Sequence, residues 1–529
     1  MIEIACLIKA PKNNSCEEHM ETMQTDILII GCGPTGVVLA NLLGQLGCNV
    51  IVLERQPDVY PIPRATHIDE ETLRNFQTTG LMPYLLPHTT PVGYVDIVDE
   101  NGAVLLEDKI EQANNQHGYA GSCFFDQPEF ETILRDGLRR YANVTLHTGI
   151  EAAQIEEHDL AVTVRAKRSS DGAALEFRAA WVVGCDGGTS LTRDWLNIEM
   201  ESLAPKLRWL IVDTLLKDMN DAALLPDRFR YVLDPVRLTI FAYGIGKNRR
   251  WEFQLGPDEE APPEEEVRRW ITPFIDPDKV RITRIAPYAH NSLVAGQWRR
   301  GRILLAGDAA HMMPPSAGQG MCSGIRDAIN LAWKLAAVVQ GQAKEELLDS
   351  YAEERKPHLI EILKGTLFIS NRLQANSPFQ RWRRRSSLLL MGAAPPPIQA
   401  ALRHLSLRRV PLQSGFIDKL SDWAGRHLPQ VNVAWQGEET KLDDVLGYRF
   451  SLLVTPQTFL AQAGDWGEAR NITVWRVGED LLAPELTQWM RDERLDYVLV
   501  RPDHQIFSAG DNNRWPHAQA KFETCWRSQ

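Results

Sequence analysis

The sequence predicts an α/β fold: a Rossmann-like nucleotide-binding domain with an inserted β-sheet substrate domain, followed by a small C-terminal α/β domain. Three observations carry this. A glycine pattern, GxGxxG, sits between an apolar strand and an amphipathic helix near the start. A run of β-like segments from Trp209 to Leu255 interrupts the chain before a further buried strand, "ILLAG", follows Arg302. The segment from Leu442 to Gly510 then reads strand, strand, helix, strand.

The first unit is "TDILIIGCGPTGVVLANLLGQLGCNVIVLER". Ile27 to Ile30 is a continuous apolar run, as a parallel strand covered on both faces requires. Val38, Leu39, Leu42, Leu43 and Leu46 recur with helical spacing. Gly47 ends that helix and Val50 to Leu53 forms the next strand, completing a βαβ unit. Short alternating segments follow between Asn143 and Val183: "VTLHTG", "LAVTVRA" and "EFRAAWVVGCDG". Next come "RYVLD", "RLTIFAYG" and "RRWEFQL", which suggest a sheet covering a substrate. Spacing and charge predict a helix over Glu345 to Gln374, and Ser377 to Asn432 reads as a Pro- and Arg-rich linker with short helices. The expected domains are a flexible extension over 1–22, a discontinuous nucleotide domain over 23–200 and 285–375, and a substrate sheet over 201–284. Linker helices over 376–441 and the C-terminal domain over 442–529 complete the chain.

Composition excludes several function classes. The 529 residues carry a net charge of −12, which argues against nucleic-acid binding. Eight cysteines are scattered with no CxxC pair, so neither a disulfide framework nor a metal site is expected. The pattern fits a reducing, cytoplasmic setting. No apolar run reaches the roughly 18 residues of a membrane span, so stable membrane insertion is not expected. "RWRRRSSLLLMGAAPPP", Arg381 to Pro397, reads as a surface helix running into a Pro-rich loop, with peripheral membrane contact as the alternative.

The chemistry-bearing motifs come in order. Gly31, Gly33 and Gly36 form GxGxxG: the first makes the tight turn, the second admits a pyrophosphate, and the third lets helix and strand pack closely. Glu54 ends the second strand about 20 residues on, placed to accept from a ribose diol. Asp186 and Gly187 follow the strand "WVVG", and Gly307-Asp308 follows "ILLAG". Each Asp alone reads as a capping residue; in this order, behind GxGxxG, they are specific.

Taken together, these motifs resemble those of the single-component FAD-dependent aromatic hydroxylases, the class A flavoprotein monooxygenases, over roughly Thr25 to Gly341. "PRATHIDEETLRNFQ", "LPHTTP", "LDPVR", "RRWEFQL" and "GQGMCSGIRDAINLAWKL" share in the likeness. The resemblance implies that Gly31, Gly33, Gly36, Glu54 and Arg55 hold the ADP half of FAD. It implies Arg64 and Gln127 near the phosphates and ribitol, and Asp186 and Gly187 between FAD and the nicotinamide path. Asp308 would bond the ribitol. Pro315, Gly318, Gly320, Met321 and Cys322 would lie along the flavin ring. Ser323 is the expected N-cap of the following helix, whose positive end would face the ring. Many members have Asn where this chain has Cys322, and Gly where it has His67. The tail from about Leu442 resembles a thioredoxin-like domain without CxxC, implying packing or dimerisation; a homodimer is compatible with the sequence.

The implied reaction is NADH- or NADPH-driven ortho-hydroxylation of a phenolic compound with O2, through a flavin C4a-hydroperoxide, in aromatic catabolism. Candidates for handling the phenol proton are His67 and Glu252. Arg250, Glu252 and Gln254 share one strand face, which fits either a substrate contact or a solvated face with a local ion pair. Two alternatives stay open: a fused polycyclic phenol as substrate in biosynthesis or drug modification, and a non-catalytic FAD-binding scaffold protein. Substrate-dependent NAD(P)H oxidation separates the last from an enzyme.

Overall fold

The computed structural model describes residues 22–110, 116–314, 318–374, 377–395, 398, 410–455 and 461–526. Both Pro315 and nearly all of the expected N-terminal extension lie outside these residues. The first strand, Thr22–Ile30, begins where that extension was expected to end.

The first sheet has eight strands. Its spine runs Ile303–Leu305, Ala174–Gly184, Thr22–Ile30, Val50–Glu54, Val144–Thr148, all parallel. Ile27, Leu28 and Ile29 are fully buried, as a strand covered on both faces demands. Helix α1 (Pro34–Gln45) is the crossover to Val50–Glu54. The carboxyl ends of Thr22–Ile30, Ala174–Gly184 and Ile303–Leu305 therefore open together on one edge, where open α/β sheets bind ligands.

The second sheet also has eight strands, in the order His311–Met312, Val280–Ala295, Met200–Leu216, Asn248–Leu255, Leu238–Ala242, Phe229–Leu233, Tyr94–Asp99, Val104–Lys109. It draws on residues outside the expected 201–284 range. Tyr94–Asp99 pairs in parallel with Phe229–Leu233, and Val280–Ala295 stays in the sheet to its last residue. Strand pairing between distant segments leaves no mark in local periodicity, so this sharing of strands was not legible beforehand.

Four more helices complete the frame around the site. Helix α2 (Glu70–Thr78) follows a short strand at His67–Asp69 and is capped by Asp69, which accepts from the Thr72 N–H. Helix α3 (Gln319–Val339) is almost wholly buried and packs along α1. Helix α4 (Asp349–Leu373) runs beside it. Helix α5 (Pro378–Gly392) lies on the second sheet at Val104–Lys109. The "linker" thus contains a 15-residue helix.

The tail sheet orders as Thr473–Arg476, Ser451–Val454, Tyr497–Val500, Ile506–Gly510, and only Tyr497–Val500 runs against the others. Its core begins before Leu442: Leu428, Val431 and Val433 are buried with Leu453, Leu486 and Val498. The tail is tightly docked. Arg74 of α2 makes a bidentate, fully buried pair with Asp443 at 2.6 and 2.8 Å. Arg501 pairs with Glu354 of α4, which in turn holds Lys334 of α3. Phe450, Trp466 and Phe522 join the same apolar core as α3.

Candidate active site

A continuous cavity of about 2590 Å³ runs from the GxGxxG turn, past the loop before α3, to the face of the second sheet. Gly31 has φ +100°, and a Cβ there would collide with the Cys185 carbonyl. At Gly36 the collision would be with the Gly31 carbonyl, so this glycine serves packing and does not line the cavity. Gly33 is different. Nothing lies within 4 Å of a Cβ built on it, and it faces the cavity. Helix α1 starts there with no side-chain cap and no acid in its first turn. Its first N–H groups and positive dipole end are left for an anion.

Glu54 accepts from the Cys32 N–H and the Gln56 N–H, both at 2.8 Å. Each oxygen keeps acceptor capacity toward the cavity. Arg55 and Arg64 are exposed to the same space, with the Arg64 guanidinium over the Tyr60 ring. Gln127 supports the Arg64 loop: its Oε1 accepts from the Arg64 and Ala65 N–H groups at 2.8 and 2.6 Å. Its Nε2 donates to Glu131. Asp186 lines the cavity, but its carboxylate accepts from Ser190 Oγ and from the N–H and hydroxyl of Thr192. That residue secures its own turn, and Gly187 leaves it at φ +85°.

Asp308 follows the carboxyl end of the strand Ile303–Leu305. Its side chain reaches the cavity and makes no hydrogen bond with a described residue. Enclosure by protein pushes its carboxyl above the usual range, partly offset by His311 and Arg64. The loop presenting it is fixed from below. Asp327 of α3 accepts from the Gly307 N–H at 3.1 Å, contacts His311 Nε2 at 2.6 Å and accepts from Arg355 at 2.9 Å. The cationic neighbours hold Asp327 below the usual range in spite of burial.

The next motif departs from expectation in detail. Helix α3 starts at Gln319 and is preceded by Gly318 in the left-handed region at φ +64°. Ser323 is therefore not the N-cap; it is buried one turn in, with its hydroxyl against Met313 Sδ. Gly318, Gly320 and Met321 line the cavity, and a Cβ on Gly320 would meet nothing within 4 Å. Cys322 does not line it. Its thiol turns back to the Gly318 carbonyl, and burial pushes it up to about 12. The helical turn at Gln319 rotates this position toward α2, away from the cavity.

His67 opens a strand and does not sit in a loop. It lines the cavity, with Nε2 at 2.7 Å from Ser122 Oγ and Nδ1 against the Gly318 backbone. Burial lowers its affinity for a proton, although Asp69 and the Gly318 backbone act the other way. Arg326 braces this corner. It bonds Asp69 at 2.6 Å and Glu71 at 2.9 Å, and Gln319 donates to the same Asp69.

On the second sheet, Arg250 and Glu252 are both buried, so the reading of a solvated face is overturned. Gln254 does not reach the cavity. The Arg250 guanidinium makes three bonds, Nε to Asp213 and its NH groups to the carbonyls of Pro63 and Arg64, while still lining the cavity. Arg284 doubles that grip. Arg250 thus ties the sheet to the Arg64 loop. The Glu252 carboxylate makes no hydrogen bond with a described residue, and burial raises it, with Arg250 the main opposing influence. Ile211, Ile240, Tyr231 and Ala286 surround it on an otherwise apolar wall.

The supporting residues Asp327, His311, Arg355 and Arg326 were missed. One signal was available: Arg326-Asp327 is a charged pair inside an apolar helix, and such a pair must have buried partners.

The chain matches the family described as FAD binding domain over residues 24–366, and the HcaD C-terminal domain over 425–524. A 3-(3-hydroxy-phenyl)propionate/3-hydroxycinnamic acid hydroxylase from Klebsiella pneumoniae is 35% identical over 503 residues, covering 92% of this chain and 84% of that protein. The enzyme of the same name from Escherichia coli O81 is 32% identical, covering 92% and 85%. Among solved structures, the flavin-dependent monooxygenase PieE with FAD and substrate superposes with a TM-score of 0.81 at 22% identity, over 95% of this chain and 99% of that one. The aklavinone-11 hydroxylase ternary complex follows at 0.79 and 23%, over 95% and 99%.

Proposed function

The chain belongs to the FAD binding domain family and is an FAD-dependent monooxygenase, and from that premise we propose that it hydroxylates a phenol bearing a carboxylate side chain, ortho to the existing hydroxyl. NADH or NADPH and O2 are consumed. When bound, FAD supplies the electron transfer from the nicotinamide and the activation of O2. The observation that carries the substrate reading is Glu252. It is a buried acid without a hydrogen-bond partner among the described residues, on an apolar wall of the cavity that also reaches the α1 terminus.

The residues fit FAD. Gly33 and the uncapped start of α1 would receive the pyrophosphate, Glu54 the ribose diol, and Asp308 the ribitol hydroxyls, with Arg55 and Arg64 adding charge for the phosphates. Gly320, in the first turn of α3, carries no side chain on its open side and would let a flat ring approach the helix start. Glu252 then takes the phenol hydroxyl. A carboxyl with raised proton affinity is closer to a phenol than a solvated one, so proton transfer between them is easier. His67 is the positioning group: through Ser122 and the Gly318 backbone it sets the N-cap of α3. The apolar lining keeps water from the reacting centre. We read the tail as a thioredoxin-like domain that buttresses α2, α3 and α4 without redox chemistry.

Relatives named for 3-hydroxyphenylpropionate motivate the side chain on the phenol. A fused polycyclic phenol is the second reading, motivated by the aklavinone-11 hydroxylase complex whose fold this chain shares. A panel of both classes, assayed for stimulated NAD(P)H oxidation and product mass, separates them. Stimulation by phenolic acids with one oxygen gained supports the first reading; stimulation by polycyclic phenols alone refutes it.

A further inference from the structure

The cavity has a second reach, away from the nucleotide end, where α4 and α5 come together over the second sheet. Phe368 and Arg372 of α4 line it with Leu373, and Leu388 and Met391 of α5 face them. Leu373 and Leu388 pack into the apolar cluster that contains Ile240 and abuts Tyr231, the wall around Glu252. Phe368 is 55% exposed. This reach therefore joins solvent to the substrate compartment.

A carboxylate-bearing phenol entering here meets a protein of net charge −12, which opposes its approach. A cation at the entrance reverses that locally. Most cations lining the cavity are spoken for. Arg250 and Arg284 serve Asp213, Arg326 serves Asp69 and Glu71, and Lys364 serves Glu361. Arg55, Arg64 and Arg135 stand at the nucleotide end. Arg372 makes no ion pair with a described residue; its guanidinium lies 4.6 Å from the Phe368 ring centroid. Arg426, likewise without an ion pair among the described residues, rests on Trp423 of the tail side. Of these two, Arg372 is the one beside the apolar cluster of the substrate wall, next in sequence to its member Leu373.

We propose that Arg372 is a specificity-determining residue that receives the carboxylate of an arylalkanoic acid while the phenol ring lies toward Glu252. The inference rests on the substrate reading above and adds the group that recognises the acid arm. A planar guanidinium suits a carboxylate through two parallel N–H donors, and the Phe368 face holds that plane in place.

The test compares 3-(3-hydroxyphenyl)propionate with its methyl ester in the FAD-loaded full-length protein, for the parent, Arg372→Gln and Arg372→Lys. Steady-state KM and kcat are read from coupled NAD(P)H consumption. Arg372→Gln is expected to raise KM for the acid roughly 10-fold, the low end for a bond to a charged group because solvent screens this position. KM for the ester and kcat for both should hold, and Arg372→Lys should recover part of the loss. Equal effects on acid and ester, or none on either, overturn the proposal. A parent that prefers the ester overturns it too, while leaving phenol hydroxylation intact. Turnover of neither compound would remove the substrate reading itself.

Discussion

Replacing Asp308 by Asn separates ligand binding from folding. Its carboxylate makes no hydrogen bond with a described residue, so the exchange orphans no protein donor. In FAD it should forfeit charge-assisted acceptance from hydroxyls, a loss of about 1.5–3 kcal/mol, or roughly 10- to 150-fold in Kd. The apoprotein should respond in the opposite sense. The surrounding protein raises its folded-state carboxyl although the side chain is open to the cavity, so stability from this group is full at low pH and declines as pH rises through the elevated value. At neutral pH the ionised form burdens the apoprotein, and Asn removes that burden. The assays are FAD titration of deflavinated protein by fluorescence quenching, and thermal unfolding of apoprotein at pH 5 and pH 8. Weaker FAD binding with equal or higher apo Tm at pH 8 is expected. Unchanged FAD affinity, or an apo Tm that falls in step with affinity, refutes the reasoning.

The other predictions draw on equally local geometry. Glu252→Gln should lower kcat by about 10²- to 10⁴-fold with FAD content unchanged; because its carboxyl is raised by burial, parent activity should fall as pH drops through that value, and a parent profile flat on the acid side counts against the role. Gly33→Ala should leave apo Tm intact yet weaken FAD binding, whereas Gly31→Ala should destabilise the apoprotein itself, by about 1–2 kcal/mol for the positive φ alone and more for the collision; thermal unfolding of both apoproteins decides it. Asp443→Ala strands Arg74 in the interior and should cost about 3–5 kcal/mol by denaturant unfolding; a loss below 1 kcal/mol would mean the tail is not docked there. Truncation at Leu442 should give insoluble protein, since it cuts through a core that includes Leu428, Val431 and Val433.

Much of the fold was legible because local pattern and tertiary role coincide in parallel sheets. The run Ile27 to Ile30 can only be covered on both faces, and two of the glycines around it have the steric reasons the motif implies, a positive φ at Gly31 and close packing at Gly36. The short strands "YRFSLLV", "NITVWRV" and "LDYVLVRPD" were likewise visible as alternating apolar segments. What escaped was set by contacts between distant residues. Tyr94–Asp99 reads as an ordinary strand, and nothing local says that its neighbour is Phe229–Leu233. At the site, residue types were readable but directions were not. Cys322 and Met321 are adjacent, yet only Met321 faces the cavity, because the helix begins at Gln319 and not beyond Ser323. For Arg250 the sequence left a substrate contact and a local ion pair open; its bonds to Asp213, Pro63 and Arg64 supply the ion pair and a brace.

The most direct test of the central claim is turnover under isotopically heavy O2. FAD-loaded protein is given NADH or NADPH and 3-(3-hydroxyphenyl)propionate, and the product is examined by mass spectrometry. The account predicts substrate-stimulated nicotinamide oxidation and a catechol carrying one heavy oxygen, with Glu252→Gln reducing both. Nicotinamide oxidation that yields only hydrogen peroxide across phenolic acids and polycyclic phenols, with no labelled product, would contradict it.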